Sequence, residues 1–148
     1  MTMPEPEIEI GDTPAALDSA VLLDGLLAGN RPYLGEPDHR PLSVMLRHAG
    51  QLVGGLVGET GRRVFYIDML WLAPDWRRGG RGAQILRAAE AEAIRRGCRT
   101  VWLDTYDFQA RPFYERHGYQ VFGELDGLPG GHRRWFMKKA LPPSADAP

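Results

Sequence analysis

The sequence has little cysteine, no long apolar run and no excess of charge, and each shortage excludes a class of protein. Its 148 residues contain one cysteine, Cys98. That rules out an internal disulfide and a cysteine-built metal cluster, and it suits a reducing compartment. No grouping of residues points to a metal site. No stretch approaches the roughly 20 apolar residues of a membrane-spanning helix. Acidic residues by position five, with no apolar segment after them, do not fit a signal peptide. The expected location is the cytoplasm, with no membrane partner.

Charge of one sign is also missing: 18 basic against 19 acidic side chains leave a formal net charge of -1. No global field therefore draws nucleic acid to the chain, and none is expected as a partner. Any anion must be held locally.

What is present is an ordinary globular composition, 43% hydrophobic and 25% charged, long enough for one real core. The expectation is a single domain over residues 1–148, with its core from about 8 to 141 and frayed ends. Hydrophobic periodicity and turn residues give the elements. A short strand is expected at 8–10. Asp12 and Thr13 ahead of Pro14 open a helix with an apolar stripe of Leu17, Val21, Leu22, Leu26 and Leu27. Residues 29–41 read as a long glycine- and proline-punctuated loop of the kind that carries function.

Strands at 43–48 and 52–58 flank a hairpin at 49–51, and a third follows at 64–72. A helix over 82–96 buries Ile85, Leu86, Ala89, Ala93 and Ile94, turns Arg87, Glu90 and Glu92 outward and stops at Gly97. Glu92 and Arg96 form a favourable i, i+4 pair on it. A strand at 100–105, a short helix at 110–117 with Pro112 in its first turn, and strands at 119–125 and 134–141 complete the order β-α-β-β-β-α-β-α-β-β. The fold class is α/β (α+β), a mixed, mostly antiparallel sheet with helices on both faces.

The stretch 76-WRRGGRG-82 stands out because it opens a helix. Unpaired N–H groups and a partial positive charge make a helix start an anion site when the backbone can come close. Gly79, Gly80 and Gly82 permit that approach, and Arg77, Arg78 and Arg81 add phosphate-binding charge. A P-loop is set aside because Ala83 and Gln84 stand where Lys and Ser or Thr belong. A dinucleotide fingerprint is half present, with Asp104 placed as its ribose-binding acid, yet Ile85 replaces the third glycine. An arginine–glycine nucleic-acid segment would be longer and interleaved with aromatics. On these residues alone, a phosphate cradle and a solvated turn stand level.

The second constellation is 100-TVWLDTYDFQARPFYERHGY-119. With 70-LWLAPDWRRGGRG-82 it resembles the GCN5-related N-acetyltransferase (GNAT) superfamily, whose signature R/Q-x-x-G-x-G/A is matched by Arg77, Gly80 and Gly82. Phe113, Tyr114, Gly118 and Tyr119 match the family's later F-Y-x-x-x-G-F/Y. The sequence is further similar to a group of small bacterial members through 103-LDT-105, 108-FQA-110 and 129-PGGH-132.

The resemblance implies acetyl-CoA as cofactor, held by the backbone of Leu70, Trp71 and Leu72 as a substitute strand and by residues 77–83, Ala83 included, at the pyrophosphate. Asp107 stands where many members carry an asparagine that touches the pantetheine; Gln109 is the alternative contact, beside Phe113. Tyr114 takes the family position of the proton donor to the leaving sulfur, and Asp68 that of the general base. Tyr33, Tyr66, Asp104 and His132 are assigned to the acceptor, with His132 also able to act as a base. The implied activity is N-acetyl transfer to a primary amine of a small molecule. A protein acetyltransferase, a non-catalytic acyl-CoA-binding module and a homodimer are left open.

Overall fold

The computed structural model of the protein describes residues 1–145. In chain order the elements are α1 (Ala16–Leu34), β1 (Arg40–His48), β2 (Gln51–Gly61), β3 (Val64–Leu72), α2 (Arg81–Arg95), β4 (Thr100–Tyr106), α3 (Arg111–Arg116), β5 (Gln120–Leu125) and β6 (Arg134–Ala140). Single 3-10 turns lie at Pro74–Trp76 and Pro129–Gly131. The chain groups into two compact units, Met1–Pro37 and Asp38–Pro148.

Within the first unit, the strand expected at 8–10 does not form: Ile8 and Ile10 are exposed and pair with no strand. Three alternating residues carry too little ladder to hold an extended segment by themselves. α1 begins after Ala15, without a side-chain cap, so Asp12 and Thr13 do not serve as its N-cap. The helix also runs further than expected, through Gly29 and Pro32 to Leu34, and ends where the Gly35 N–H bonds Arg31 O at 3.0 Å. Residues 29–34 are therefore helix, and the long loop shrinks to 35–39. The stripe of Leu17, Val21, Leu22 and Leu26 is helical as expected, and these side chains are exposed.

The second unit is a six-stranded sheet in the order β1-β2-β3-β4-β6-β5. Every pairing is antiparallel except β3–β4, which is parallel because α2 carries the chain across. The first hairpin closes through two residues, Ala49 and Gly50, so Gln51 already belongs to β2. α2 buries Ile85, Leu86, Ala89 and Ala93 against Leu42, Leu56, Phe65, Ile67, Val101, Leu103 and Met137, and Tyr114 from α3 joins the same cluster. Burying a side chain such as Leu86 contributes about 2 kcal/mol. The expected Glu92–Arg96 pair forms at 3.0 Å, and Arg96 reaches on to Pro41 O and Thr60 Oγ1, tying the end of α2 to β1 and β2.

Glu90 departs from the expected pattern. It is buried rather than outward, because it accepts hydrogen bonds from Tyr119 Oη at 2.8 Å and Lys139 Nζ at 2.8 Å. A carboxylate enters a core only with partners of this kind.

Two features of the sheet set up the site. β3 pairs with β4 only over Val64–Ile67 against Thr100–Leu103, and beyond those residues the two strands part. Met69–Leu72 keep their β2 partners on one side, and Asp104–Tyr106 keep β6 on the other. The facing edges are unpaired. The β2–β3 pairing also carries a bulge, in which Val57 faces Met69, Gly58 faces Ile67 and Asp68 is the extra residue on β3; a Cβ at Gly58 would run into Tyr66 O and the Phe65 ring. Bulges add twist, which turns the second half of β3 away from β4.

Candidate functional site

The opening between β3 and β4 is a cavity of about 460 Å³. Leu70, Trp71 and Leu72 form one wall, while Phe108, Gln109, Ala110, Phe113 and Tyr114 form the other. Arg77 and Gly82 close one end. Among the described residues no strand satisfies the inner edges of this cleft, and an unpaired edge beside an apolar cavity accepts an extended chain with amides.

The closing end is a helix start. Gly80, in the left-handed region at φ 77°, is the N-cap of α2, and no side chain caps that end. The first helical bond runs from Gln84 N–H to Gly80 O at 3.1 Å, so the N–H groups of Arg81, Gly82 and Ala83 have no partner within the helix. A Cβ at Gly82 would stand 3.4 Å from the Phe113 ring and 3.5 Å from Leu72 Cδ1, at the cleft wall. Arg77 is tied through Nε to Leu72 O at 3.0 Å, and Arg81 through Nη1 to Gln84 Oε1 at 3.1 Å. Two arginines are thus fixed at the rim, and Arg78 and Gly79 complete the loop between them.

Tyr114 is buried in the cleft wall, its ring set edge-on to Phe113 and Tyr119. Burial, with a smaller contribution from the Asp104 carboxylate, pushes its phenol up to about 12. The hydroxyl stays protonated far above neutral pH, so it keeps a proton to donate there and does not serve as a phenolate base.

Asp68 is the first β3 residue past the parting of the strands. With Val57, Gly58, Glu59 and Tyr66 it lines a second cavity of about 350 Å³. Tyr66 lies against Trp102 with ring centroids 4.4 Å apart and the rings tilted by 32°, and it donates to Asp104 Oδ1 at 3.4 Å. Burial first, then Asp104 and Asp68, raises the Tyr66 phenol above its usual range. Asp104 is itself held by Arg134, which reaches Oδ2 at 2.7 Å. Arg134 was not singled out from sequence. Its only signal is the register that sets it opposite Tyr106.

Asp107 does not line the cleft. Its Oδ1 lies 2.8 Å from His132 Nδ1, its Oδ2 accepts the Arg133 N–H at 2.9 Å, and its own N–H donates to Arg133 O. These contacts, the Arg133 bond first, hold its carboxyl below the ordinary range. The pair pins the β5–β6 connection to the end of β4, and His132 packs edge-on against Phe108 at 4.9 Å. Gln109 lines the cleft, though its carbonyl is engaged by Tyr106 N–H at 2.9 Å and Thr105 Oγ1 at 3.2 Å, leaving its amide N–H groups for a ligand. Tyr33 sits exposed in the last turn of α1, in the N-terminal unit. Cys98 is a core residue whose thiol burial pushes upward. Phe108 and Ala110, which the sequence offers as part of the 108–110 motif without a site role, are wall residues.

Residues 14–119 match the model of the Acetyltransferase (GNAT) family. Over 131 residues the chain is 34% identical to the acetyltransferase Atu2258 of Agrobacterium fabrum, covering 88% of this chain and 96% of that protein. It is 36% identical over 107 residues to the blasticidin-S acetyltransferase of Streptomyces morookaense, covering 69% and 79% respectively. The crystal structure of an acetyltransferase from Bacillus cereus superposes with a TM-score of 0.80 at 28% identity, covering 90% of this chain and 98% of that one.

Proposed function

Because the chain belongs to the GNAT acetyltransferase family, we propose that it transfers the acetyl group of acetyl-CoA to a primary amine of a small molecule. The observation that carries this reading is the parting of β3 and β4 over a cavity that ends on an uncapped helix start. The thioester of acetyl-CoA supplies an activated acyl group when bound.

The chain's own residues fit such a ligand. The open edge of Asp68–Leu72 takes the pantetheine amides, and the Arg81, Gly82 and Ala83 N–H groups with Arg77 take the pyrophosphate. The amide of Gln109 is the side-chain contact on the opposite wall, since Asp107 is committed to His132.

Tyr114 donates a hydrogen bond to the sulfur as negative charge builds on it. Thiols have a pKa near 8.5, and the phenol stands at about 12. Complete proton transfer from Tyr114 is therefore uphill by about 5 kcal/mol. Its role is stabilisation by a fixed, dry donor rather than full protonation.

Asp68 and Glu59 frame the second cavity beside the point where the strands part. Two carboxylates around the Tyr66 ring suit an ammonium group, which Asp68 receives and deprotonates directly or through water. The similarity to a blasticidin-S acetyltransferase supports a small-molecule acceptor over a peptide.

The test is release of free thiol from acetyl-CoA with three acceptor sets: amine-bearing antibiotics including blasticidin S, polyamines and amino sugars, and peptides with free N-termini. Turnover on a small amine is expected. Turnover confined to peptides moves the assignment to a protein acetyltransferase, and CoA binding without turnover on any set moves it to a binding module.

A further inference from the structure

At the opposite end of β3 from the cleft, the connection to β2 is a two-residue turn, Arg62-Arg63, with both residues in the left-handed region at φ 52° and 65°. Asn and Gly are the usual occupants of such a turn. Two arginines there are a conformational burden that their side chains must explain.

Beside the turn lies a cavity of about 260 Å³ lined by Asp38, Arg40, Thr60, Arg63, Arg96 and Cys98. Three arginines and one aspartate share its lining. Arg96 is committed to Glu92, Pro41 O and Thr60, and Asp38 Oδ1 accepts the Arg62 N–H at 2.7 Å. Among the described residues the side chains of Arg40 and Arg63 appear in no hydrogen bond or ion pair. Arg62, the other residue of the turn, has a buried Nε with no partner but does not line the cavity. The carboxyl end of α2 brings partial negative charge to the same corner, so recognition of an anion here rests on the guanidinium groups.

We propose that this cavity is a second anion site, in which Arg40 and Arg63 bind a phosphate dianion, free or as a monoester, with Arg96 as the fixed third cation. Two guanidinium groups converging on one oxyanion give the forked recognition that phosphate oxygens favour. The site is independent of the cleft, since the length of β3 sets the two about 26 Å apart.

The experiment uses the full chain saturated with CoA, so that the cleft contributes no phosphate binding. Inorganic phosphate and glycerol 3-phosphate are titrated by calorimetry, with sodium chloride at matched ionic strength as control. Binding of at least one phosphate is expected, with Arg40→Gln and Arg63→Gly each weakening it about tenfold or more. Arg63→Gly also keeps or raises the melting temperature in phosphate-free buffer, because glycine suits its φ; lost binding in that variant is then not lost folding. A preference for the monoester identifies an organic phosphate as the ligand, and a preference for inorganic phosphate identifies the free ion. Binding of neither, or binding unchanged in both variants, overturns the site. The distal variants decide this whether or not the cleft binds CoA.

Discussion

Tyr114 shows how burial selects a chemical role. In the proposed transfer, a phenol at about 12 is too weak an acid to give up its proton to a departing thiolate and is suited to hold a hydrogen bond to it. Tyr114→Phe is expected to lower kcat about 100-fold while the CoA dissociation constant, measured by calorimetry, changes little. Equal activity would return Tyr114 to a packing role. The same shift has a stability consequence. The folded pKa lies above the unfolded value of 10, so the stabilisation is complete below about pH 10 and is lost as pH rises toward 12. Two pKa units correspond to about 3 kcal/mol. Tyr119 shifts in the same direction, so the variant retains part of the alkaline loss. Urea denaturation from pH 8 to 11 should show a shallower decline for Tyr114→Phe than for the parent protein. At the other end of the cleft, Gly82→Val places branched carbons against the Phe113 ring, which already stands 3.4 Å from an added Cβ. CoA affinity should fall at least tenfold, about 1.4 kcal/mol, with the circular dichroism spectrum unchanged. Unchanged affinity would remove the cradle from the site.

Among the elements, β3 and α2 carry most of the argument, and both were legible in the sequence. The span of β3 coincides with its expected 64–72, and α2 differs by one residue at each end. What the pattern missed was the direction of Glu90. A charged residue at a helix position reads as outward, and its inward turn depends on Tyr119 and Lys139, which lie 29 and 49 residues away in sequence. The same holds for Asp107 and His132, each visible in its own motif but joined only by the pairing of β4 with β6. Periodicity reports a residue's neighbours along the chain, and these roles are set by neighbours across the sheet. The Glu90 triad gives a test at this scale. Lys139→Met strands a buried carboxylate and should cost about 2 kcal/mol in urea denaturation. Adding Glu90→Gln, whose carbonyl still accepts from Tyr119, should recover most of it. Failure to recover would mean that Lys139 acts through packing of its stem on the Tyr119 ring, 5.6 Å from its nitrogen.

For the whole molecule, a near-neutral net charge coexists with local clusters of positive charge. Arginines gather in two places on the C-terminal unit, around residues 77–81 and around 40, 62, 63 and 96. Local geometry does what net charge does not. The sheet itself makes a further prediction at this scale. In the apo protein the Asp68–Leu72 amides that face the cleft should exchange with deuterium faster than those of Val64–Ile67, and CoA should slow them selectively. Equal protection in both forms would contradict the cofactor acting as a strand.

The gap between β3 and β4 also bears on the protein's lifetime in a cell. Sheets usually confine unsatisfied edges to their borders, where charges and bulges guard them; here one lies between central strands. A ligand seated in it at a hundred times its dissociation constant adds about 2.7 kcal/mol to stability. With acetyl-CoA as that ligand, as proposed, a cell depleted of it would leave more of the chain transiently open, exposed to proteases and to stray β-segments of other proteins. The abundance of the enzyme would follow the supply of its donor without any change in its synthesis, which pulse-chase measurement under carbon starvation would detect as a shortened half-life.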